Sequence, residues 1–198
     1  SKIRVNNILL EDLDDKVKIK QDFNFFDEHY SGVRPLELIV TVKAPGKTVW
    51  DYEVLEQLNR VDEFIKREYR AGFLVSPSNL VKTVYINSGE GAAGDFPDEE
   101  SYRVIQKQLK GNRKNREIKR LIASDGRSTR ISAKIQDLGS IEVSKHNQNL
   151  YAFLDKNINK SLLEFRITGA AHLVDKNNEY MVNNMAQGFI FSIIVIAI

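Results

Sequence analysis

Residues 36–43 read Leu-Glu-Leu-Ile-Val-Thr-Val-Lys, which is a clear strand pattern. Apolar side chains recur in it at every second position, at Leu36, Leu38, Val40 and Val42. That is the period of a β-strand with one buried face, and Pro45-Gly46 ends the strand. Because the strand has a single apolar face, we expect its sheet to be covered by helices on one side only.

Helical and strand patterns alternate after this strand. Residues 51–72 carry apolar side chains at i, i+3 and i+4, with Asp51 as the N-cap and Gly72 as the stop. Further strand, strand, helix and strand patterns occupy residues 73–75, 130–136, 140–158 and 163–168. The resulting order, βαββαβ, is that of a ferredoxin-like α+β fold.

The apolar faces of these segments predict the core. One sheet face should carry Leu38, Val40, Ile131, Ile135, Phe165 and Ile167. It should lie under two helices whose stripes contain Leu58, Val61, Leu150 and Leu154. Trp50 is most simply a further core residue.

Residues 77–124 form an irregular, partly helical insertion in this pattern. Pro77 opens a short amphipathic piece, and Pro97 starts a helix that Gly111 closes. A basic helical stretch then covers residues 113–120. Before the first strand, the apolar residues between positions 13 and 30 suit a surface helix that ends at Gly32.

The composition describes a chain that lies mostly in water. Charged residues make up 28%, and the mean hydropathy is −0.36. The net charge of +2 indicates neither nucleic-acid binding nor adhesion to anionic lipid. The absence of cysteine excludes disulfides, thiol catalysis and cysteine-ligated zinc.

The C-terminal residues differ from the rest of the chain. Residues 180–198 contain no charge, with a polar front end (Asn183, Asn184, Gln187) and an apolar run from residue 189 onwards. The alternative to a membrane segment is a strand or core helix of a soluble domain. The run lacks polar alternation and a turn residue, and a membrane-spanning helix needs ~20 mostly apolar residues. We therefore predict that residues 180–198 form one helix, which continues from the last strand through a connection at 169–178 and enters a bilayer.

A glycine-rich loop at residues 89–94 reads Gly-Glu-Gly-Ala-Ala-Gly and matches the dinucleotide fingerprint. That motif requires a strand before it and a helix that opens within it. Here Asp95-Phe96-Pro97 follows at once, and an acidic residue ~20 positions further on at the end of a second strand is lacking. A flexible loop is the better interpretation, and we expect no bound nucleotide.

The other candidate sites are equally weak. His29, His146 and His172 are far apart, and none has a histidine three or four positions away, so surface or core placement is favoured over metal binding or catalysis. The basic run at 107–120 is surrounded by acids and lacks interleaved aromatic residues, which favours a solvated helix face over phosphate binding. The sequence therefore predicts no catalytic, metal or cofactor site.

Five motifs together resemble a known family. They read Lys-Gln-Asp-Phe-Asn-Phe-Phe-Asp (20–27), Tyr-Ser-Gly-Val-Arg-Pro (30–35), Ser-Pro-Ser-Asn-Leu-Val-Lys-Thr (76–83), Asp-Gly-Arg-Ser-Thr-Arg-Ile-Ser (125–132) and Ile-Thr-Gly-Ala-Ala-His-Leu-Val-Asp-Lys-Asn-Asn (167–178). In this order and spacing, the chain resembles the first large extracytoplasmic loop of the resistance-nodulation-division (RND) superfamily. The resemblance is to the exporter branch that includes the MMPL and hopanoid-transporter-like proteins.

This resemblance implies a periplasmic porter domain with ferredoxin-like topology, between the first and second helices of an inner-membrane protein. Residues 1–33 would connect a preceding membrane helix to the domain, 34–170 would form the porter domain with insertion 77–124, and 171–198 would begin the next membrane helix. The full proteins resemble proton-coupled exporters of hydrophobic or amphiphilic molecules, lipids among them. Their proton-relay carboxylates lie in later membrane helices, so no family functional residue maps onto this segment.

The partners implied are the remaining membrane helices, a second porter loop and a lipid-like substrate, with a homo-oligomer also open and no nucleic acid. Two other functions stay open, a non-transporting sensor or assembly module of a membrane protein and a soluble enzyme that uses the loop at 89–94. The complete gene would discriminate them, because a transporter needs about a dozen spans and a second loop of similar topology. A sensor needs few spans and a soluble enzyme none.

Overall fold

The computed structural model describes residues 6, 8–11, 13–30, 32–111 and 120–197. The helices are α1 (Lys18–His29), α2 (Tyr52–Glu68), α3 (Pro77–Asn87), α4 (Glu99–Gly111), α5 (Gly139–Asn157) and α6 (Ala170–Ala197). The strands are β1 (Arg34–Val42), β2 (Phe73–Val75), β3 (Ser128–Ile135) and β4 (Leu163–Thr168). The chain is thus a mixed α+β protein, as the alternating periods predict.

The four strands form one antiparallel sheet in the order β2-β3-β1-β4. β1 is central, and its Leu38 lies opposite Ile131 of β3 and Ile167 of β4. Because side chains alternate along a strand, this register places the apolar residues of all three strands on one face.

The predicted core is confirmed. Leu38, Val40 and Ile131 on the sheet, and Leu58 and Val61 on α2, are fully buried. The other predicted members, Ile135, Leu150, Leu154 and Ile167, are also buried, and Phe165 packs against them while partly exposed. The opposite face of the described sheet carries exposed side chains such as Arg130, Lys134 and Glu164, so the helices cover one side, as expected.

Helices α3 and α4, which lie between β2 and β3, contribute to the same core. Val81, Tyr102, Ile105 and Leu109 are buried in it. The Tyr102 hydroxyl donates to the carbonyl oxygen of Trp50 at 2.6 Å, and Trp50 is a core residue, as predicted. Residues 77–124 therefore pack onto the sheet domain where they are described; residues 112–119, with most of the predicted basic helix, lie outside the described part.

The predicted stop of α2 at Gly72 is wrong. The helix ends at Glu68, with Tyr69 as its C-cap, and Arg70 adopts a left-handed backbone with φ +50°. Tyr69 is buried, and its hydroxyl donates to Asn147 Oδ1 of α5 at 2.8 Å. α2 therefore ends where its C-cap residue contacts a distant helix, a contact that the local sequence does not encode.

Two other helix boundaries differ from expectation. α1 begins at Lys18 and ends before Tyr30, so Gly32 is not its stop. Gly32, at φ +102°, lies where a Cβ atom would come within 2.1 Å of the Ile135 carbonyl, which makes it a close-packing position. α4 begins after Pro97, because the Asp98 carboxylate accepts a hydrogen bond from the Ser101 N–H at 2.8 Å and acts as the N-cap.

Candidate functional site

The C-terminal helix α6 follows β4 with only Gly169 between them. Gly169 has φ +95°, and a Cβ atom there would lie 3.3 Å from Glu37 Cβ, so glycine suits this sharp turn. The helix is 28 residues long, which confirms the predicted continuation for residues 170–197. It starts directly at Ala170, so the separate connection expected before residue 180 is itself the first part of the helix.

α6 is long and apolar enough to cross a membrane. An 18-residue window has a mean hydropathy of 1.5, and none of that window is buried. Phe189, Phe191 and Ile196 are 69%, 68% and 85% exposed. A core helix of the described domain would be buried, so this apolar surface is directed away from it. Its Ser192 hydroxyl donates to the Gly188 carbonyl at 2.9 Å, an internal pairing that a hydrocarbon environment requires.

A buried arginine connects the start of α6 to the sheet. Arg34, the first residue of β1, is 1% exposed on the core side of the sheet. Its Nη1 donates to Asp137 Oδ1 at 2.6 Å, and its Nη2 donates to Asp175 Oδ2 on α6. Burial alone would lower the pKa of the Arg34 guanidinium, but the hydrogen bonds to Asp175 and Asp137 outweigh it and raise that pKa.

The N-terminal segment joins the same contacts. Asp27 of α1 accepts hydrogen bonds from the Val33 and Asp137 N–H groups at 3.0 and 3.1 Å. Asp137 Oδ2 accepts from the Leu9 N–H at 2.6 Å. We call Asp27, Arg34, Asp137 and Asp175 the junction cluster. It links α1, the start of β1, the end of β3 and α6 at one end of the strands.

Sequence reasoning missed the junction cluster. Arg34 belongs to the family-like motif at 30–35, but the motif by itself does not indicate a role for it. A signal was present, since the two-residue period puts Arg34 on the same face as Leu36 and Leu38. A charge on a core face requires partners, but the sequence does not identify them.

A second buried polar group lies on α2. Asp62 is 1% exposed, and its Oδ2 accepts hydrogen bonds from the Ser76 and Ser78 hydroxyls, both at 2.5 Å. Its Oδ1 is buried without a hydrogen-bond partner among the described residues, as is Oδ1 of Asn59 one turn earlier. Burial raises the pKa of Asp62 to about 7, although the two serine hydroxyls act to lower it. Its place between Leu58 and Ile65 on the apolar stripe was the overlooked signal.

The three candidate histidines lie on three different helices. His29 Nδ1 lies 3.0 Å from the Phe25 carbonyl, His146 Nδ1 lies 2.9 Å from Glu68 Oε1, and His172 is on α6. Within the described ranges, no group of three or more His, Asp or Glu side chains is arranged to hold a metal ion. Lys107, the first residue of the basic run at 107–120, is exposed on α4.

The glycine-rich loop at 89–94 connects α3 to α4, so a helix precedes it where the dinucleotide fingerprint needs a strand. We expect titration calorimetry of the chain with NAD or ATP to give no saturable heat. A stoichiometric, saturable heat with either nucleotide would contradict this. A Gly91→Val variant would not report on nucleotide binding alone. The valine side chain would also meet the Tyr85 ring, which lies 2.4 Å from the position of a Cβ atom.

No protein-family model matches the chain, and no curated protein matches it either. The described residues offer three features on which a function can rest. These are an antiparallel sheet with one open face, an exposed apolar helix and a buried charged junction between the two.

Proposed function

We propose that the chain is the extracytoplasmic porter domain of an RND superfamily exporter, in the MMPL and hopanoid-transporter-like branch. The observation that carries the proposal is α6, an unburied apolar helix that continues directly from the last strand of the domain. An aqueous environment would leave its apolar surface exposed to water at a large cost, whereas a bilayer would cover it. The motif resemblance supplies the family.

The sheet topology supports the porter-domain part of the proposal. α2 links β1 to β2, α5 links β3 to β4, and the strand order is β2-β3-β1-β4. That is the arrangement expected of a split βαβ, ferredoxin-like domain. α3 and α4 occupy the connection between β2 and β3, where the proposed insertion lies.

The positions where the domain is entered and left also favour the proposal. β1 and β4 are antiparallel neighbours, and Glu37 near the start of β1 pairs with Thr168 at the end of β4. The start of β1 and the start of helix α6 therefore lie at the same end of the sheet's strands. This arrangement suits a loop that leaves a membrane and returns to it.

In this proposal, the domain forms part of the wall and gate of a path for hydrophobic or amphiphilic compounds, lipids among them. It moves as a body while the membrane part, driven by protons, changes conformation. Its partners are the membrane helices and a second porter loop of the same protein. The domain lies on the periplasmic side of the inner membrane.

The membrane role of α6 can be tested by cysteine accessibility, because the chain contains no cysteine of its own. Ser192→Cys and Asn178→Cys each introduce one thiol on the same helix. In lipid vesicles, we expect a membrane-impermeant maleimide to label Asn178→Cys and to leave Ser192→Cys unlabelled until the lipid is dissolved. Equal labelling rates in intact vesicles would remove the main support for the proposal.

The exporter role is tested by the complete gene and its deletion. We expect the gene to encode about a dozen spans and a second extracytoplasmic loop of similar topology. Cells that lack it should retain a fluorescent amphiphile longer than cells that carry it on a plasmid. A gene with few spans and a cytoplasmic signalling domain would refute transport and favour a sensor.

A further inference from the structure

We infer that the junction cluster is a mechanical coupling that fixes the orientation of α6 relative to the sheet, with Arg34 as the positioning residue. The coupling is a property of this chain and can be measured without transport. Its biological use, passing a tilt of the membrane helix to the porter domain, rests on the proposed function. The two can therefore fail separately.

The geometry of Arg34 suits a coupling between two elements. Its two terminal nitrogens donate to carboxylates that belong to different parts of the chain, Asp137 after β3 and Asp175 on α6. The guanidinium is a rigid planar fork, so fixing one carboxylate also restricts the direction of the other. A lysine ammonium, as a flexible point charge, would not transmit direction in this way.

α6 contacts β1 and β4 of the sheet. Ala171 is the one buried residue among those described in the helix. The covalent connection is Gly169, a residue type with wide backbone freedom. Loss of the Arg34–Asp175 contact should therefore increase the freedom of α6 to move about residues 169–171.

The charges of the junction cluster allow the Arg34–Asp175 contact to be removed without leaving Arg34 unpaired. Arg34 is paired with two carboxylates, and the Asp137 side chain is 2% exposed whereas that of Asp175 is 16% exposed. If Asp175 becomes neutral, Arg34 still has Asp137 as its buried counter-ion. Asp175→Asn should therefore leave the sheet folded while it weakens the attachment of α6.

Paired spin labels test the coupling directly. Arg130→Cys on the open sheet face and Asn184→Cys on α6 are both exposed positions. In lipid nanodiscs, double electron–electron resonance measures the distance between the two spin labels. We expect a narrow distance distribution for the parent protein and a distinctly broader one with Asp175→Asn. Lys176→Gln is the matched control, because it removes an exposed charge that pairs with Glu179 on the same helix, and it should leave the distribution narrow.

Hydrogen exchange on the same samples separates coupling from general destabilisation. With Asp175→Asn, amides at 171–176 should exchange about tenfold faster or more, since a hydrogen bond to a charged group is worth that factor, while amides in β1 stay protected. An unchanged distance distribution, an equal effect of Lys176→Gln, or equal loss of protection in β1 would each overturn the inference.

Discussion

Asp62→Asn should stabilise the protein at pH 8 by about 4 kcal/mol, the equivalent of a carboxyl pKa raised from 3.8 to about 7. Between these two pH values, the folded state holds a proton on Asp62 that the unfolded state has released. The contribution of Asp62 to the free energy of unfolding therefore falls as the pH rises from about 4 to about 7 and is then constant. Asparagine cannot ionise, so the variant lacks this loss.

The amide should also suit the site better than the carboxylate. Its oxygen can accept from the Ser76 and Ser78 hydroxyls, as Asp62 Oδ2 does. Its NH2 group adds a donor to a region where the Asn59 oxygen lacks one, and residues three apart lie on the same helix face. Equilibrium unfolding by urea in mild detergent, repeated from pH 4 to pH 8, measures the difference in the free energy of unfolding.

Glu63→Gln is the matched control for this series. Burial acts to raise the pKa of Glu63, but its contacts with Lys82 and Lys66 lower it overall. Because a lowered pKa stabilises the folded protein above the unfolded value, Glu63→Gln should destabilise it slightly at neutral pH. If Asp62→Asn and the parent protein have parallel pH profiles, Asp62 does not titrate in this range.

Leu58→Ala should destabilise the protein by about 2–5 kcal/mol. Leu58 is fully buried on α2, in the core cluster that includes Leu38 and Ile131 of the sheet. Truncation removes apolar contacts and leaves a cavity that the surrounding core fills only in part. Urea unfolding at pH 7 under the same detergent conditions measures this loss.

Lys43→Ala is the corresponding surface control, because Lys43 is exposed immediately after β1. It should change the free energy of unfolding by no more than about 0.5 kcal/mol. Equal, small losses for Leu58→Ala and Lys43→Ala would mean that α2 does not pack on the sheet as described.

Local patterns predicted the helices and strands that form the core. The two-residue alternation of β1 and β3 and the helical stripe of α2 each record which side chains face the interior. Boundaries were less predictable. Gly72 is a plausible stop by residue type, but α2 ends earlier, where Tyr69 bonds to Asn147 of α5, 78 residues away.

The charged groups of the candidate site were the least predictable. Arg34 bonds to Asp137 and Asp175, which are 103 and 141 residues further along the chain. A local pattern can reveal that such a charge lies on an apolar face, but it does not reveal the counter-ions. The same holds for Asp62, whose serine partners come from the start of α3.

Residue spacing alone was enough to predict the α+β class, the apolar faces and the uncharged C-terminal part of α6, because each depends on neighbouring residues. Only the tertiary structure decided the strand order, the attachment of α6 through Arg34 and the raised pKa of Asp62. Those properties depend on groups brought together from distant positions and on their removal from water, and burial is a property of the folded chain as a whole.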